Sequence, residues 1–178
     1  MSRPRQLSKI VQAAAFGCAL GLALPGLAMA QDAGMKIGMP GLQNHDSSQP
    51  VEVTADQLTM EQEVGRATFE GNVLVVQGDL RLTADKVITR NRAEGSGIAH
   101  VTAHGNVVLI TSLEAAEGDD AEYEVDTGAL VMTGNVLLTQ DTATIAGERL
   151  DADLKSGTGR MQGRVRTIFQ PASGQATR

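Results

Sequence analysis

The sequence predicts an all-β protein made of repeated strand pairs, and three observations carry this prediction. Apolar and polar residues alternate in short windows such as Val51/Val53 and Leu80/Leu82, which is the period of a strand with one buried face. A Gly-Asn-Val motif recurs along the chain. Beyond the first thirty residues, β-branched residues and glycines interrupt every window that is long enough for a helix. Short strands at near-regular spacing are typical of a sandwich, a jelly roll or a solenoid.

The first thirty residues predict a secretory signal peptide. Three cations, within residues 3–9, precede an apolar stretch over residues 10–24, and Ala28-Met29-Ala30 is a small-residue cleavage site. We expect cleavage after Ala30. The alternative is a retained membrane anchor, because residues 10–30 are nearly long enough to span a bilayer. N-terminal sequencing of the protein taken from cells distinguishes the two.

Charge and cysteine content exclude some functions. Without residues 1–30 the chain has 12 Lys and Arg against 21 Asp and Glu, a net charge of −9, which argues against binding nucleic acid. Cys18 is the sole cysteine and leaves with the predicted signal peptide. We therefore expect no disulfide and no thiol chemistry.

Composition divides the exported part into three segments. Residues 31–50 are rich in Gly, Pro, Ser and Asn without an apolar period, so we expect a flexible N-terminal arm. The folded domain is predicted over residues 51–170. Residues 171–178 are small, polar and aperiodic, which predicts a disordered tail.

Two short elements alternate along the predicted domain. The first is Gly71-Asn72-Val73, repeated at 105–107 and 134–136 and, in degenerate form, at 163–165, with separations of 34, 29 and 29 residues. The second precedes each copy of the first, at residues 55–58, 84–87, 120–123 and 147–150. The repeating unit is therefore two strands, and Gly-Asn supplies the positive φ that bulges and tight connections need.

A search for reactive groups finds no catalytic constellation. His45, His100 and His104 have no cysteine partners and no metal-ligand spacing, so neither a metal nor a cofactor is predicted. The acidic run from Glu114 to Asp126 lacks a calcium-binding loop and is expected to be a solvated edge. Because nucleophile elbows, P-loops and dinucleotide fingerprints are also missing, we expect a binding or structural protein and not an enzyme.

Several motifs in fixed order resemble one family. The motifs are V-x-V-x-A-D at residues 51–56, F-E-G-N-V followed by L-x-L-x-A-D-K-V within 69–90, and Y-E-V-D-x-x-x-L-V-M-T-G-N-V within 123–140. Together with the predicted signal peptide, they resemble the OstA-like (LptA) family of lipopolysaccharide-transport proteins. The similarity in pattern extends over roughly residues 50–170.

This resemblance implies a fold, a location and partners. The expected fold is an OstA-like β-jelly roll of two antiparallel sheets splayed into a V, open at both ends. The expected location is the periplasm of a Gram-negative cell. The implied cargo is lipopolysaccharide, whose lipid A acyl chains would lie in an apolar trough during outer-membrane assembly. The implied protein partners are an inner-membrane-anchored homologous domain, the periplasmic domain of the outer-membrane translocon, and further copies of the chain joined head to tail.

Residues on one alternating apolar face are our hypothesis for the lining of this trough. They are Val51, Val53, Phe69, Val73, Val75, Leu80, Leu82, Tyr123, Val125, Leu130, Met132, Val136 and Leu138. The alternative is that they form the core of a closed sandwich, because alternation shows which side chains share a face but not whether that face is open. Arg90 would meet a lipid phosphate at the trough rim, or else is a solvated strand-end arginine.

Two other functions remain compatible with the sequence. The chain would be the membrane-anchored partner domain of the same transport system if the N-terminal segment is retained. Alternatively, it would be a self-assembling β-solenoid scaffold without a lipid ligand. Mass spectrometry of co-purifying lipid separates a carrier from a scaffold.

Overall fold

The computed structural model describes residues 35–43, 49–93 and 97–170. The predicted signal peptide, the predicted C-terminal tail and His45 lie outside these described residues. The prediction of an all-β fold is confirmed. The described strands are β1 (Met35–Gly38), β2 (Val51–Thr54), β3 (Gln57–Glu61), β4 (Arg66–Gln77), β5 (Leu80–Asn91), β6 (Ile98–Ile110), β7 (Glu114–Glu124), β8 (Ala129–Gln140), β9 (Ala143–Asp153), β10 (Thr158–Gln162) and β11 (Arg166–Phe169). Helical structure within the described residues is limited to a four-residue helix, α1 (Pro40–Gln43), and a 3-10 turn (Gln62–Val64).

All the strands belong to one antiparallel sheet with the order β1-β10-β9-β8-β7-β6-β5-β4-β2. Two short strands lie off this path: β3 pairs with the first half of β4, and β11 pairs with the first half of β9. Since β2 and β10 pair with the second halves of β4 and β9, each long outer strand carries two short partners. The ends of the path, β1 and β2, do not pair with each other, so the sheet is open.

The long strands bend at the repeated Gly-Asn motif. Asn72, Asn106 and Asn135 have φ values of 45°, 48° and 49°, and the glycine before each also has a positive φ. The ladder skips residues at these positions, for example between Glu70 and Val73. A left-handed pair in a strand is the geometry of a β-bulge, which bends the strand and increases its twist. The predicted role of Gly-Asn is thus confirmed.

Each bulge is held by a carboxylate that lies earlier in the chain. The side-chain amide of Asn72 donates a 2.8 Å hydrogen bond to Asp56, and those of Asn106 and Asn135 donate in the same way to Asp85 and Asp119 at 2.8 and 3.0 Å. Glycine is required beside the asparagine, because a Cβ on Gly71 would lie 2.4 Å from the Asp56 carboxylate. Arg164 and Glu148 form the fourth pair, with N–O distances of 3.2 and 3.3 Å.

The line of bulges divides the sheet into two halves. Half-sheet A contains β1, β3, β10 and the segments 66–70, 86–91, 98–104, 120–124, 129–133 and 149–153. Half-sheet B contains β2, β11 and the segments 73–77, 80–83, 107–110, 114–117, 136–140 and 143–146. The two sheets implied by the family resemblance are therefore two halves of the same bent strands.

Burial shows that the two halves face each other. Met132 on half-sheet A and Leu138 on half-sheet B are both 0% exposed. A single flat sheet leaves both faces in water, so complete burial of side chains requires a second layer. The sheet curls over itself, with the bulges along the bend.

One part of the expected flexible arm is ordered. Residues 35–43 form β1 and α1, and Met39 and Leu42 are only 1% and 2% exposed. The expectation that the fold begins near Val51 is wrong for this segment. Its glycines and proline hide a short alternating run, Met35-Lys36-Ile37, which pairs with β10.

The acidic run is not an edge of the sheet, although all its carboxylates except that of Glu114 are exposed or partly exposed. It forms β7 and the turn after it, and β7 is an interior strand between β6 and β8. Glu114 is only 7% exposed and accepts a 3.0 Å hydrogen bond from the Leu42 amide. Asp120 and Glu124 lie beside His104 and His100 of β6, at 2.7 and 3.2 Å, and these cross-strand pairs hold the carboxylates on the sheet.

Candidate functional site

The concave face of the curled sheet is a continuous apolar surface. Its buried members form one cluster that receives side chains from every long strand, from Val73 on β4 to Leu150 on β9. Valine, leucine, isoleucine, methionine and alanine make up this buried cluster. Such walls offer area for apolar contacts with few directional hydrogen bonds.

The part of this face toward β10 is closed. We define the closed region as the interior residues of β8, β9 and β10 together with the side chains that cover them. Met132, Leu138, Leu150 and Met161 are each 0% exposed. Side chains in this region pack against each other, and Met39 lies beside Gly159 and Leu150.

The part of the face toward β2 is open. We define the open region as the interior residues of β2 to β5 that are exposed or partly exposed. Val53, Phe69, Val75, Leu80 and Leu82 pack against the core cluster but are only partly buried. At the edge of this region, Val51, Leu58 and Met60 are 49%, 51% and 64% exposed. The open region therefore presents apolar side chains to solvent along a continuation of the core.

A segment that we call the strap, residues 35–43, closes the mouth opposite the bulges. The Met39 amide donates a 2.7 Å hydrogen bond to the Gly157 carbonyl at the rim of half-sheet A. At the rim of half-sheet B, Glu114 accepts from the Leu42 amide. Gln140, also on half-sheet B, donates a 2.7 Å hydrogen bond to the Gly38 carbonyl. The strap thus bridges both rims over the closed region.

Three glycines make room for the strap. A Cβ on Gly41 would lie 2.1 Å from the Thr111 hydroxyl, and one on Gly157 would lie 2.4 Å from the Gln43 side chain. A Cβ on Gly159 would lie 2.8 Å from the Met39 sulfur. These close approaches show that the strap fits a site shaped for it.

The predicted lining residues occupy three environments. Five are buried in the core cluster: Val73, Leu130, Met132, Val136 and Leu138. Seven are partly buried: Val53, Phe69, Val75, Leu80, Leu82, Tyr123 and Val125. Val51 and Arg90 are exposed. The structure gathers eleven of the thirteen apolar residues on one face and leaves Val51 at its edge and Val125 in a turn.

Arg90 and Tyr123 differ in orientation. Arg90 follows buried Thr89 on β5, so alternation directs it to the outer face, away from the apolar surface. Tyr123 packs against the core cluster, and burial raises the pKa of its phenol. The hypothesis that Arg90 contacts a lipid phosphate stays a prediction. With Arg90 on the outer face, such a phosphate would lie outside the concave face.

The structure adds residues to the concave face that sequence reasoning did not single out. Leu58 and Met60 on β3 alternate in the same way as the predicted residues, so a period-two signal was present. Leu150 and Met161 are interior positions of β9 and β10 with a weaker alternating pattern. Met39 and Leu42 belong to the strap, where no periodic signal marks them.

Within the described residues, no group of three or more His, Cys, Asp or Glu side chains is arranged to hold a metal ion. None of the helices among these residues has the length and apolar character needed to cross a bilayer.

The chain matches a known family over its central part. Residues 52–158 match the family described as LptA/(LptD N-terminal domain) LPS transport protein. This stretch runs from β2 to the first residue of β10, so it covers every long bent strand.

Individual relatives agree with this match. The chain is 28% identical over 111 residues to the lipopolysaccharide export system protein LptA of Escherichia coli K12, which covers 59% of this chain and 60% of that protein. It is 28% identical over 138 residues to LptA of Haemophilus influenzae, covering 71% and 80% of the two chains. The chain thus spans less than two thirds of the length of the first of these relatives.

A solved structure has the same fold. The crystal structure of LptH from Pseudomonas aeruginosa, described as the LptA homologous periplasmic component of a lipopolysaccharide transport device, superposes with a TM-score of 0.65 at 22% identity. The superposition covers 71% of this chain and 99% of that one.

Proposed function

This chain belongs to the LptA/LptD N-terminal-domain family of lipopolysaccharide transport proteins, and on that premise we propose that it is a non-catalytic periplasmic carrier of lipopolysaccharide. In this proposal the open region holds the acyl chains of lipid A while the headgroup stays in water. The observation that carries the proposal is the partly exposed apolar surface on β2, β4 and β5, which continues the buried core.

Exposed acyl chains explain why such a surface is needed. Each methylene group kept from water contributes about 0.8 kcal/mol, so a chain of ~12 carbons costs on the order of 10 kcal/mol to expose. A continuous apolar face removes this barrier. Because the wall is mainly aliphatic, it makes few directional contacts, and the lipid can slide along it.

The open edges support a role as a bridge between membranes. The outer sides of β2 and β3 pair with no other strand within the described residues, and β3 exposes Leu58 and Met60. Exposed strand edges bind other strands by β-augmentation. In the proposal these edges receive an inner-membrane-anchored homologous domain, the periplasmic domain of the outer-membrane translocon, or another copy of the chain.

Neighbouring valines give a matched test of the cargo site. Val75 faces the core cluster, and Val76 is the next residue on β4, where alternation directs the side chain to the outer face. A photo-crosslinking amino acid at Val75 is expected to capture lipopolysaccharide in cells, whereas the same amino acid at Val76 is not. Captured lipid is measured by immunoblotting against lipopolysaccharide.

Two outcomes would contradict the proposal. Equal capture of lipopolysaccharide at Val75 and Val76 would show that the lipid does not bind specifically to the concave face. No capture at Val75, Leu82 and Tyr123 together would argue against lipid transport itself and favour a scaffold that binds no lipid.

A further inference from the structure

The strap begins with a strand that occupies an edge of the sheet. β1 pairs antiparallel with β10 through Met35–Met161, Lys36–Arg160, Ile37–Gly159 and Gly38–Thr158. Without β1, β10 would be the last strand of half-sheet A at the C-terminal end of the fold. β11, the corresponding last strand of half-sheet B, has no such cover within the described residues.

At the opposite end of the same half-sheet lies β3. It has five residues, as β10 does, and pairs only with β4 among the described strands. Its interior residues, Leu58 and Met60, are more than half exposed. A strand whose outer edge has no partner among the described strands, and which exposes two apolar side chains, can accept another strand at that edge.

β1 and β3 present the same pattern to an edge. β1 directs Met35 and Ile37 toward the interior and Lys36 outward, and β3 directs Leu58 and Met60 inward and Thr59 outward. Strand direction alternates from β3 to β10, so β3 of another copy laid beside β10 runs antiparallel to it, as β1 does. In that register Leu58 takes the place of Met35, and Met60 takes the place of Ile37.

The strand at the edge is tied to the cover of the concave face. Gly38, the last residue of β1, is followed directly by Met39, whose side chain packs beside Gly159. The chain then continues to Leu42 and its hydrogen bond to Glu114. Removing β1 from β10 therefore pulls on the contacts that close the mouth.

We propose that β3 of a second copy displaces β1 from β10, and that this strand exchange withdraws the strap and opens the closed region. The proposal rests on the proposed function, because an apolar face continuous between copies matters only for a lipid carrier. The exchange replaces one antiparallel partner of β10 by another with the same apolar pattern, so backbone hydrogen bonds are conserved. Pairing of β2 with β11 adds contacts that the isolated chain lacks.

A reversible disulfide between β1 and β10 tests the exchange. Lys36→Cys and Arg160→Cys, in a Cys18→Ser background, place two thiols on exposed Cα partners of an antiparallel ladder. Such partners lie about 4.5–5.5 Å apart, within disulfide range. A photo-crosslinking amino acid at Thr59 reports contact with β10 of another copy, identified by mass spectrometry.

The locked protein should fail to assemble through this edge. After oxidation with diamide, we expect the yield of the Thr59–β10 crosslink to fall by about tenfold or more, because the competent population is removed. Reduction should restore it. The matched control is Glu122→Cys with Val131→Cys, which links β7 to β8 and leaves β1 free. Assembly of the oxidised β1–β10 variant at the control level, or no Thr59–β10 crosslink in the unlocked chain, would overturn the proposal.

A second pair of variants tests the strap from its other end. Leu42→Ser removes the buried strap residue, and Leu113→Ser changes a leucine that is 51% exposed in the adjacent turn. We expect Leu42→Ser to raise the crosslink yield several-fold and Leu113→Ser to leave it unchanged. A yield that does not rise for Leu42→Ser in a chain with an unchanged circular dichroism spectrum would count against the coupling.

Hydrogen exchange separates the strap from the cargo. When unlocked chains assemble, the Met39 and Leu42 amides should exchange faster, because their partners Gly157 and Glu114 are given up. Unchanged protection on assembly overturns the proposal. Capture of lipopolysaccharide at Val75 in the same samples tests the proposed function alone. Failure of lipid binding can therefore be distinguished from failure of the strand exchange.

Discussion

The closed and open regions are built from the same strand repeat and differ only in what covers them. The Asn72–Asp56 pair at the open end and the Asn135–Asp119 pair at the closed end have the same geometry, with hydrogen bonds of 2.8 and 3.0 Å. Yet Met132 is 0% exposed whereas Met60 is 64% exposed. The backbone pattern therefore fixes the bend and the facing of side chains, and neighbouring elements determine burial.

The segments that lie over the closed region explain why its side chains are buried and those of the open region are not. Over the closed region the strap inserts Met39 and Leu42, and β1 adds a strand to the edge. β2 and β3 form the open end with no further strand outside them among the described residues. The same repeated bent strands thus form a core that stabilises the fold at one end of the sheet and a surface able to bind a lipid at the other.

Substitution of two leucines tests this difference in burial between the closed and open regions. Leu138 is 0% exposed on β8, and Leu82 is partly exposed on β5. Leu138→Ala should lower the free energy of unfolding by about 2–5 kcal/mol, because it leaves a cavity in a packed core. Leu82→Ala should lower it by about 1–2 kcal/mol, because part of the side chain already contacts water. Urea denaturation followed by circular dichroism measures both.

Lipid capture should show the opposite order. With the crosslinker at Val75, Leu82→Ala should reduce capture, since Leu82 is the cross-strand partner of Val75. Leu138→Ala should leave capture unchanged under conditions where the protein is folded. Equal losses of stability for the two variants would show that the regions are packed alike and would remove the basis of the comparison.

A substitution in the Arg164–Glu148 pair should have a smaller effect on the free energy of unfolding, and one of opposite sign. Arg164 has a φ of 38°, in the left-handed region that asparagine tolerates better than arginine. Its side chain is 93% exposed, so its ion pair with Glu148 contributes little. Arg164→Asn should raise the free energy of unfolding by about 0.5–1 kcal/mol, and Arg164→Ala, which lacks the local hydrogen bond, should not. Urea midpoints that are the same for both variants would contradict this.

Sequence reasoning succeeded where the signal was local and periodic. The Gly-Asn positions, the alternation of Leu130 and Met132 and the two-strand repeat follow from backbone chemistry that each segment carries by itself. The third copy of the second element was placed at 120–123, two residues too late: Asp119 is the counterpart of Asp56 and Asp85, so the copy begins at Gly118. The run Gly118-Asp119-Asp120 leaves this register undetermined in the sequence. The strap was missed because its burial depends on Gly157 and Glu114, which are distant in the sequence.

Tyr123 lies at the boundary of the two regions and reports on both. Its cross-strand neighbours are partly exposed Val101 and buried Leu130. Since burial disfavours the charged phenolate, the pKa of Tyr123 is raised above its ordinary value. The chain has one tyrosine and no tryptophan, so the absorbance of the phenolate during an alkaline titration reports this residue alone.

The sign of the stability effect follows from the raised pKa. The contribution of neutral Tyr123 is fully present below the pKa of the unfolded chain, about 10, and is lost as the pH rises through the higher folded value. Acyl chains beside Tyr123 remove further water from the ring, so saturation with lipopolysaccharide should raise the pKa again. If lipopolysaccharide leaves the titration midpoint of Tyr123 unchanged, the acyl chains do not reach Tyr123. The lipid-binding surface would then be limited to the open region, on the β2–β5 side of Val101.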